Sequence, residues 1–320
     1  MYNFNHLYYF YVTAKAGGVT AAAGHLRISQ PSLSSQIKVL EGSLGLKLFQ
    51  KTGRTVELTR AGLVIYGYCR QMFELSEDMS EAILKKVPSA TRRIHIGISD
   101  EIDRTFVVEV ISRFLKTQSL TERPKVSVVS GTHMQLVERL KFREIDIMIS
   151  ELAMTDPDLT NLSRVEVPVA LVCSIRWKMK SRGKNLSAKR AIGEIVGGDV
   201  AQWVLPSARF KLRAEIDRFF EANQLKGRVV FESDVMGSLV RSVVDEIGLA
   251  FLPLLYIGRE LRERSLRVLG PKSGYWKYRV WLVCSRQNYN DTLIQAFSKS
   301  YDEVCAAFTA RIEKKYKKNL

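Results

Sequence analysis

Cysteine is scarce in this chain. There are four in 320 residues, Cys69, Cys173, Cys284 and Cys305, with no CxxC pair among them. Such spacing argues against a disulfide framework and against a zinc site, and the expected state is a buried, unpaired thiol. Histidine also occurs only four times, without an HxxxH or HxH pair that would bring two rings onto one face, so no metal is expected. No apolar run approaches the roughly 20 residues a membrane span needs. The opening MYNFNHLYYF lacks the basic flank, apolar core and cleavage site of a signal peptide. The expected location is the cytoplasm, with no membrane partner. GxSxG, GxxxxGK[ST] and a strand-borne GxGxxG are missing too, so neither catalytic residues nor a cofactor is expected.

Acidic residues are in deficit: 33 Asp and Glu face 49 Lys and Arg, a formal charge of +16 that favours a polyanionic partner. The excess is spread along the chain. Residues 1–60 hold seven basic and two acidic side chains, a net of +5, residues 61–90 a net of −1, and the remaining +12 lies beyond. Charge alone does not single out a nucleic-acid element, and the motif must do so.

In residues 1–60, Leu7, Phe10, Tyr11 and Ala14 recur at helical spacing and predict a helix over 4–16, ended by Gly17-Gly18. A second helix fits Val19–Leu26, where Ala22 and Ala23 let another backbone approach. Ile28 should point inward from the turn. Ser29 is a good cap for a third helix, and Pro31 is tolerated in its first turn. Leu33, Ile37 and Leu40 make the inward stripe. Ser29, Gln30, Pro31, Ser32, Ser35, Gln36 and Lys38 then lie away from the core or shape the helix start. Slim side chains that donate and accept are what a helix in the major groove needs, with Gln30, Ser32 and Ser35 the expected base contacts. LKLFQKTGRTVELT follows as a basic hairpin turning at Gly53. Its Lys47, Lys51 and Arg54 are placed to hold phosphate, as a wing does.

The ordered set AAxxL (Ala22–Leu26), SQPSLSxQIxxLE (Ser29–Glu41), LGxxLFxKxxR (Leu44–Arg54) and LTxAG (Leu58–Gly62) resembles the LysR-type transcriptional regulators. Two departures stand out: Gly18 where serine is usual before the second helix, and Lys51 where arginine is usual. FNHLYYFYV and GTHMQLVERLKFREIDIMIS also resemble the branch containing the activator of sodium/proton antiporter genes. The resemblance implies double-stranded DNA bearing an interrupted inverted repeat as partner, a homodimer or tetramer, contact with RNA polymerase, and a small effector, ion or metabolite.

The expected architecture is multi-domain α+β, with an N-terminal winged helix-turn-helix over 1–60 and a linker and dimerisation helix over 61–88. Thr59 should cap that helix and Pro88 stop it. Ile65, Cys69, Met72, Ser76, Met79 and Ile83 form its predicted 4-3-4-3-4 dimer seam. From residue 91 to 320, strands such as RIHIGIS, KVSVVS, IDIMIS, VPVALVCS, RVVFES and YRVWLVCS alternate with helices, including one from Ser207 to Asn223. The alternation predicts a largely parallel sheet. The resemblance implies a two-lobed α/β effector domain similar to periplasmic binding proteins, lobe one about 91–165 and 269–320, lobe two about 166–268. Ligands in such sheets bind beyond the carboxyl ends of strands. That rule points to Ser99, Asp100, Thr132, His133, Ser150, Glu151, Pro206, Ser207 and Asp234 as the effector site. Asp100, Glu151 and Asp234 favour a cation or amine, while the surrounding basic charge pulls the other way. A sequence-neutral DNA binder and an α/β enzyme with a regulatory DNA-binding head are the competing readings.

Overall fold

The computed structural model describes residues 2–52, 55–85, 92–120, 123–177, 201–271 and 273–317. The expectations for Gly53, Arg54, the Lys51 side chain, Pro88 and the extreme end of the tail lie outside the described residues. The chain forms two compact units, Met1–Arg93 with Leu120–Lys125 and Glu138–Ile145, and Ile94–Ser119 with Val126–Val137 and Asp146–Leu320.

The first unit opens with three helices, α1 (Phe4–Lys15), α2 (Val19–Leu26) and α3 (Gln30–Leu44). Asn3 caps α1 by accepting from Asn5 and His6. Gly18, ahead of α2, supplies no side-chain cap, and the helix is held instead by the close approach its alanines allow. Ala22 and Ala23 are buried with Leu33 and Ile37 of α3, and Ile28 packs against them. A hairpin of β1 (Phe49–Thr52) and β2 (Thr55–Leu58) follows, pairing Phe49 with Leu58 and Thr52 with Thr55. The long helix α4 (Arg60–Lys85) starts at Thr59, whose hydroxyl accepts from Gly62 N–H at 2.9 Å and donates to the Lys47 carbonyl at 2.6 Å. One residue thus ties the helix start to the hairpin. Gly62 must be small here, because a Cβ at that position would stand 2.0 Å from the Leu48 carbonyl oxygen.

The predicted dimer seam of α4 is corrected in part. Cys69 is buried in the core formed by Leu7, Phe10, Tyr11, Leu40 and Leu48, and Ile65 and Met72 pack against that same core. Tyr11 stacks on Tyr66 and on Phe73, so α1 occupies this face. Among its described side chains, the exposed large apolar positions of the helix are Val64, Tyr68, Leu75, Met79, Ile83 and Leu84. Met79 and Ile83 of the expected seam are among them.

The second unit is built on one seven-stranded sheet. Its elements are β3 (Arg93–Ser99), α5 (Arg104–Thr117), β4 (Lys125–Gly131), α6 (His133–Lys141), β5 (Ile147–Ser150), β6 (Leu159–Ser174), β7 (Gln202–Pro206), α7 (Lys211–Ala222), β8 (Arg228–Ser233), α8 (Met236–Val244), β9 (Ala250–Pro253), α9 (Gly258–Arg262), β10 (Leu266–Leu269), β11 (Trp276–Ser285) and α10 (Thr292–Lys317). The strand order is β10-β6-β11-β5-β3-β4, with β9 also pairing to β6, while β7 and β8 form a separate parallel pair. The sheet is therefore mixed rather than largely parallel. β3 and β5 are parallel, but β11 is antiparallel to both β5 and β6, and β10 and β9 are antiparallel to β6. The reason is topological: the 16-residue β6 carries the chain from one lobe into the other, and β11 brings it back.

The core sits on both faces of that sheet, where short apolar runs such as Ile147–Ser150 and Ala170–Cys173 are buried throughout. Helix α10 returns to lie on α5, with Phe297 edge-on to Phe114 at 5.4 Å and Tyr301 edge-on to Phe106 at 5.8 Å. All four cysteines are free and buried. Burial pushes the Cys69 and Cys305 thiols up to about 12 and those of Cys173 and Cys284 up to about 11, which leaves them unreactive at neutral pH. Among the described residues, no helix is long and apolar enough to cross a membrane.

Candidate functional sites

Two places gather the side chains that the sequence points to, one in each unit. In the first unit, α3 buries Leu33, Ile37 and Leu40 and turns its opposite face outward. The Ser29 hydroxyl accepts from the Ser32 amide at 3.2 Å and Pro31 stands in the first turn, where it removes no intrahelical bond. Gln30, Ser32, Ser35 and Lys38 are exposed and Gln36 is half-buried. The side chains of these five make no hydrogen bond or ion pair with other described residues. They are free to bond elsewhere.

A residue that sequence reading passed over fixes the hairpin beside this helix. Glu41, in the last turns of α3, is buried and accepts from the Leu48 amide at 2.8 Å, the Phe49 amide at 3.3 Å and the Lys47 ammonium at 2.9 Å. Burial pushes its carboxyl up, but the bonds from Lys47, Leu48 and Phe49 outweigh that and hold it below the usual range. Its signals were its place at the end of the SQPSLSxQIxxLE motif and a charge directly after Leu40 of the apolar stripe.

In the second unit, a cavity of about 470 Å³ is lined by Ser99, Asp100, Thr132, His133 and Glu151 from the strand ends of one lobe and by Arg209 and Lys211 from the other, together with Glu101, Met134, Leu152, Ala208, Phe210 and Ala214. Of the residues expected there, Ser99, Asp100, Thr132 and His133 line it, as does Glu151. Ser150 stands behind the lining, fully buried, with its hydroxyl 2.8 Å from His133 Nδ1 and donating to Glu151 at 3.2 Å. Ser207, Pro206 and Asp234 are not in the lining. The expected helix from Ser207 begins later, at Lys211, because 207–210 form a turn closed by the Phe210 amide on the Ser207 carbonyl. Asp234 is exposed and pairs with Arg209 at 3.1 Å, and Arg209 also lies 3.7 Å from Asp100.

Glu101, Arg209 and Lys211 were missed. Glu101 is buried and accepts from two amides at the start of α7 and from the Tyr278 hydroxyl. The Lys211 ammonium donates to the Glu151 carbonyl at 2.9 Å. Partial burial lowers the His133 pKa against the raising effect of Glu151, so the ring is neutral at physiological pH. The cavity therefore offers hydroxyls, a neutral imidazole, three carboxyl groups and two cations.

Comparison with known proteins agrees with this two-part geometry. Residues 4–63 match the model of bacterial regulatory helix-turn-helix proteins of the lysR family, and residues 89–306 match that of the LysR substrate binding domain. The transcriptional activator protein NhaR of Escherichia coli is 29% identical over 165 residues, 52% of this chain and 54% of the relative. The matched stretch thus spans about half the length of that protein. Among solved structures, full-length OxyR C199D from Pseudomonas aeruginosa is similar with a TM-score of 0.64 at 16% identity, covering 94% of this chain and 95% of that one. CbnR complexed with its target DNA is similar with a TM-score of 0.59 at 19% identity, covering 95% of this chain and 100% of that one. At these identities the structural likeness is one of fold.

Proposed function

The chain belongs to the LysR family, and from that premise we propose that it is a sequence-specific DNA-binding transcriptional regulator controlled by a small effector, an ion or metabolite, bound between the two lobes of the second unit. It acts in the cytoplasm, as a dimer or a tetramer, on double-stranded DNA carrying an interrupted inverted repeat, and it communicates with RNA polymerase. The observation that carries the reading is the outward face of α3, where Gln30, Ser32 and Ser35 are exposed and unengaged on a helix whose other face is fully packed. Side chains of that size and chemistry suit base edges in the major groove. The wing's Lys51 and Arg54 hold phosphate. A ligand in the cleft shifts the arrangement of paired heads only to the extent that it binds two quaternary states with different affinity.

Selection from a random DNA pool by the purified protein, at near-physiological salt, tests this. An enriched, interrupted palindrome is expected. A pool retained without enrichment would sink the reading and favour a sequence-neutral binder.

A further inference from the structure

Helix α7 begins without a cap of its own, since Phe210, the residue before it, offers no side-chain acceptor. Its first amides are met by a residue from the other lobe, 110 positions earlier in the chain. Glu101 Oε1 accepts from Lys211 N–H at 2.7 Å, and Oε2 accepts from Leu212 N–H at 3.2 Å and from the Tyr278 hydroxyl at 3.0 Å. Tyr278 is fully buried on β11, so the carboxylate is fixed from the sheet side as well. Free amides and partial positive charge at a helix N-terminus are what an anionic ligand would seek, and here an internal carboxylate already holds them. We propose that Glu101 is a built-in ligand of the cleft, a carboxylate carried by one lobe that grips the helix of the other, and that proton uptake at Glu101 sets how firmly the two lobes stay closed. The proposal rests on the reading of this cleft as the effector site and adds its regulation.

The charged and titratable groups around Glu101 come from every element packed there. Glu151 follows β5. From α7, the Lys211 ammonium lies 5.3 Å over the Tyr278 ring and 3.9 Å from Glu215, which accepts from the Trp276 indole at 2.9 Å. Tyr256, in the short helix Leu254–Ile257, is buried close by, and Asp103 caps α5 behind it. His133 stands across the cavity, with Asp100 and Arg209 at the rim. Burial first, and the charge of Glu151 second, push the Glu101 carboxyl up to about 7, against the opposing bonds from Lys211, Leu212 and Tyr278. A carboxyl released into water titrates near 4.3. The closed cleft therefore binds the proton more tightly than the open one. Closure is most favoured below about pH 4, each pH unit between about 4 and 7 shifts the equilibrium about tenfold towards the open cleft, and the shift is complete above about pH 7.

Hydrogen exchange of the first turn of α7, on the full chain and with neither DNA nor effector added, tests the latch. Because no DNA is involved, failure to find an operator would leave this result standing, and failure here would leave the operator standing. Protection corrected for intrinsic rate should fall in the wild type as pH rises from about 4.5 to 7, and stay level above that. It should stay level in Glu101→Gln, which carries no charge at any pH, and be low throughout in Glu101→Ala. Level protection in the wild type between about pH 4.5 and 7, or the same decline in Glu101→Gln, overturns the proposal. Should the variants fail to fold, the carbon-13 carboxyl resonance of Glu101 in the wild type decides. An inflection near 7 supports the latch, and one near 4 overturns it.

Discussion

Glu41 places a buried carboxylate against the Leu48 and Phe49 amides at the start of the hairpin and one ammonium, and this joins α3 to the wing beside the apolar packing of Leu40 with Leu48 and Phe49. Removing the acceptor leaves the buried Leu48 amide unbonded, a loss worth about 1–3 kcal/mol. Glu41→Ala should therefore lower the stability of the first unit by about 2 kcal/mol in denaturant titration, and should loosen the wing. The pH dependence has a definite sign. A carboxyl held below its ordinary value stabilises the fold above the unfolded pKa, and that contribution is lost as pH falls through the folded value. Below about pH 4 the wild type and Glu41→Gln should converge in stability, which a thermal-melting series checks. At the other end of the same helix, the Gln30 side chain is exposed and bonds to no other described residue, so Gln30→Ala should leave stability unchanged within about 0.5 kcal/mol. It should instead cost about 1–3 kcal/mol of preference for the operator over a mismatched site, read by competition binding. A uniform loss across all sequences would show that Gln30 touches backbone rather than bases.

At the scale of elements, α4 carries two apolar faces, and the helix shows why sequence pattern alone assigned one of them differently. Ile65, Cys69 and Met72 follow the spacing of a coiled-coil seam, yet so do residues one position away. Which face turns inward depends on where α1 docks, and the stacking of Tyr11 on Tyr66 and Phe73 settles that through contacts some sixty residues apart. Local features were legible because they are local: the Ser29 cap, Pro31 in the first turn, the Leu33–Ile37–Leu40 stripe and the Thr59 cap all lie within a few residues of the element they shape. The strand-end rule likewise reached Ser99, Asp100, Thr132 and His133 from the alternation of strands and helices. It could not reach Glu101 or Lys211, whose meeting depends on how two lobes close on each other. Among the apolar side chains that α4 leaves exposed are Leu75, Met79 and Ile83, at 65%, 57% and 68% exposure and four residues apart along one stripe. An apolar stripe of that length on a polar helix suits a second copy of the chain. Replacing Leu75 and Met79 together by Lys should weaken self-association at least about tenfold by sedimentation equilibrium, equivalent to about 1.4 kcal/mol. At concentrations where the chain is monomeric, the melting temperature of the first unit should stay unchanged, because both side chains are exposed. Undiminished association would move the dimer surface elsewhere.

For the whole molecule, the distribution of charge separates the two ways in which a chain of +16 can hold DNA. If the basic surface as a whole were the ligand site, the +12 carried beyond residue 90 would dominate, and single changes in the first unit would barely register. If the chain works as a dimer with two equivalent heads, every substitution on α3 is made twice at each operator. The salt dependence then reports how many heads are engaged, since each phosphate neutralised contributes about 0.9 to the slope of log affinity against log salt. Lys38 is the suitable probe, because it is exposed on α3 and bonds to no other described residue. Its loss should therefore leave the fold intact. With both heads bound, Lys38→Ala should flatten the slope by about 1.8, while one head bound gives about 0.9. An unchanged slope would remove Lys38 from the phosphate contacts. Measured on the selected operator and on unrelated DNA at the same salt series, the substitution should alter both slopes alike, because a phosphate contact carries no sequence information. Gln30→Ala, by contrast, should alter the gap between the two affinities and neither slope.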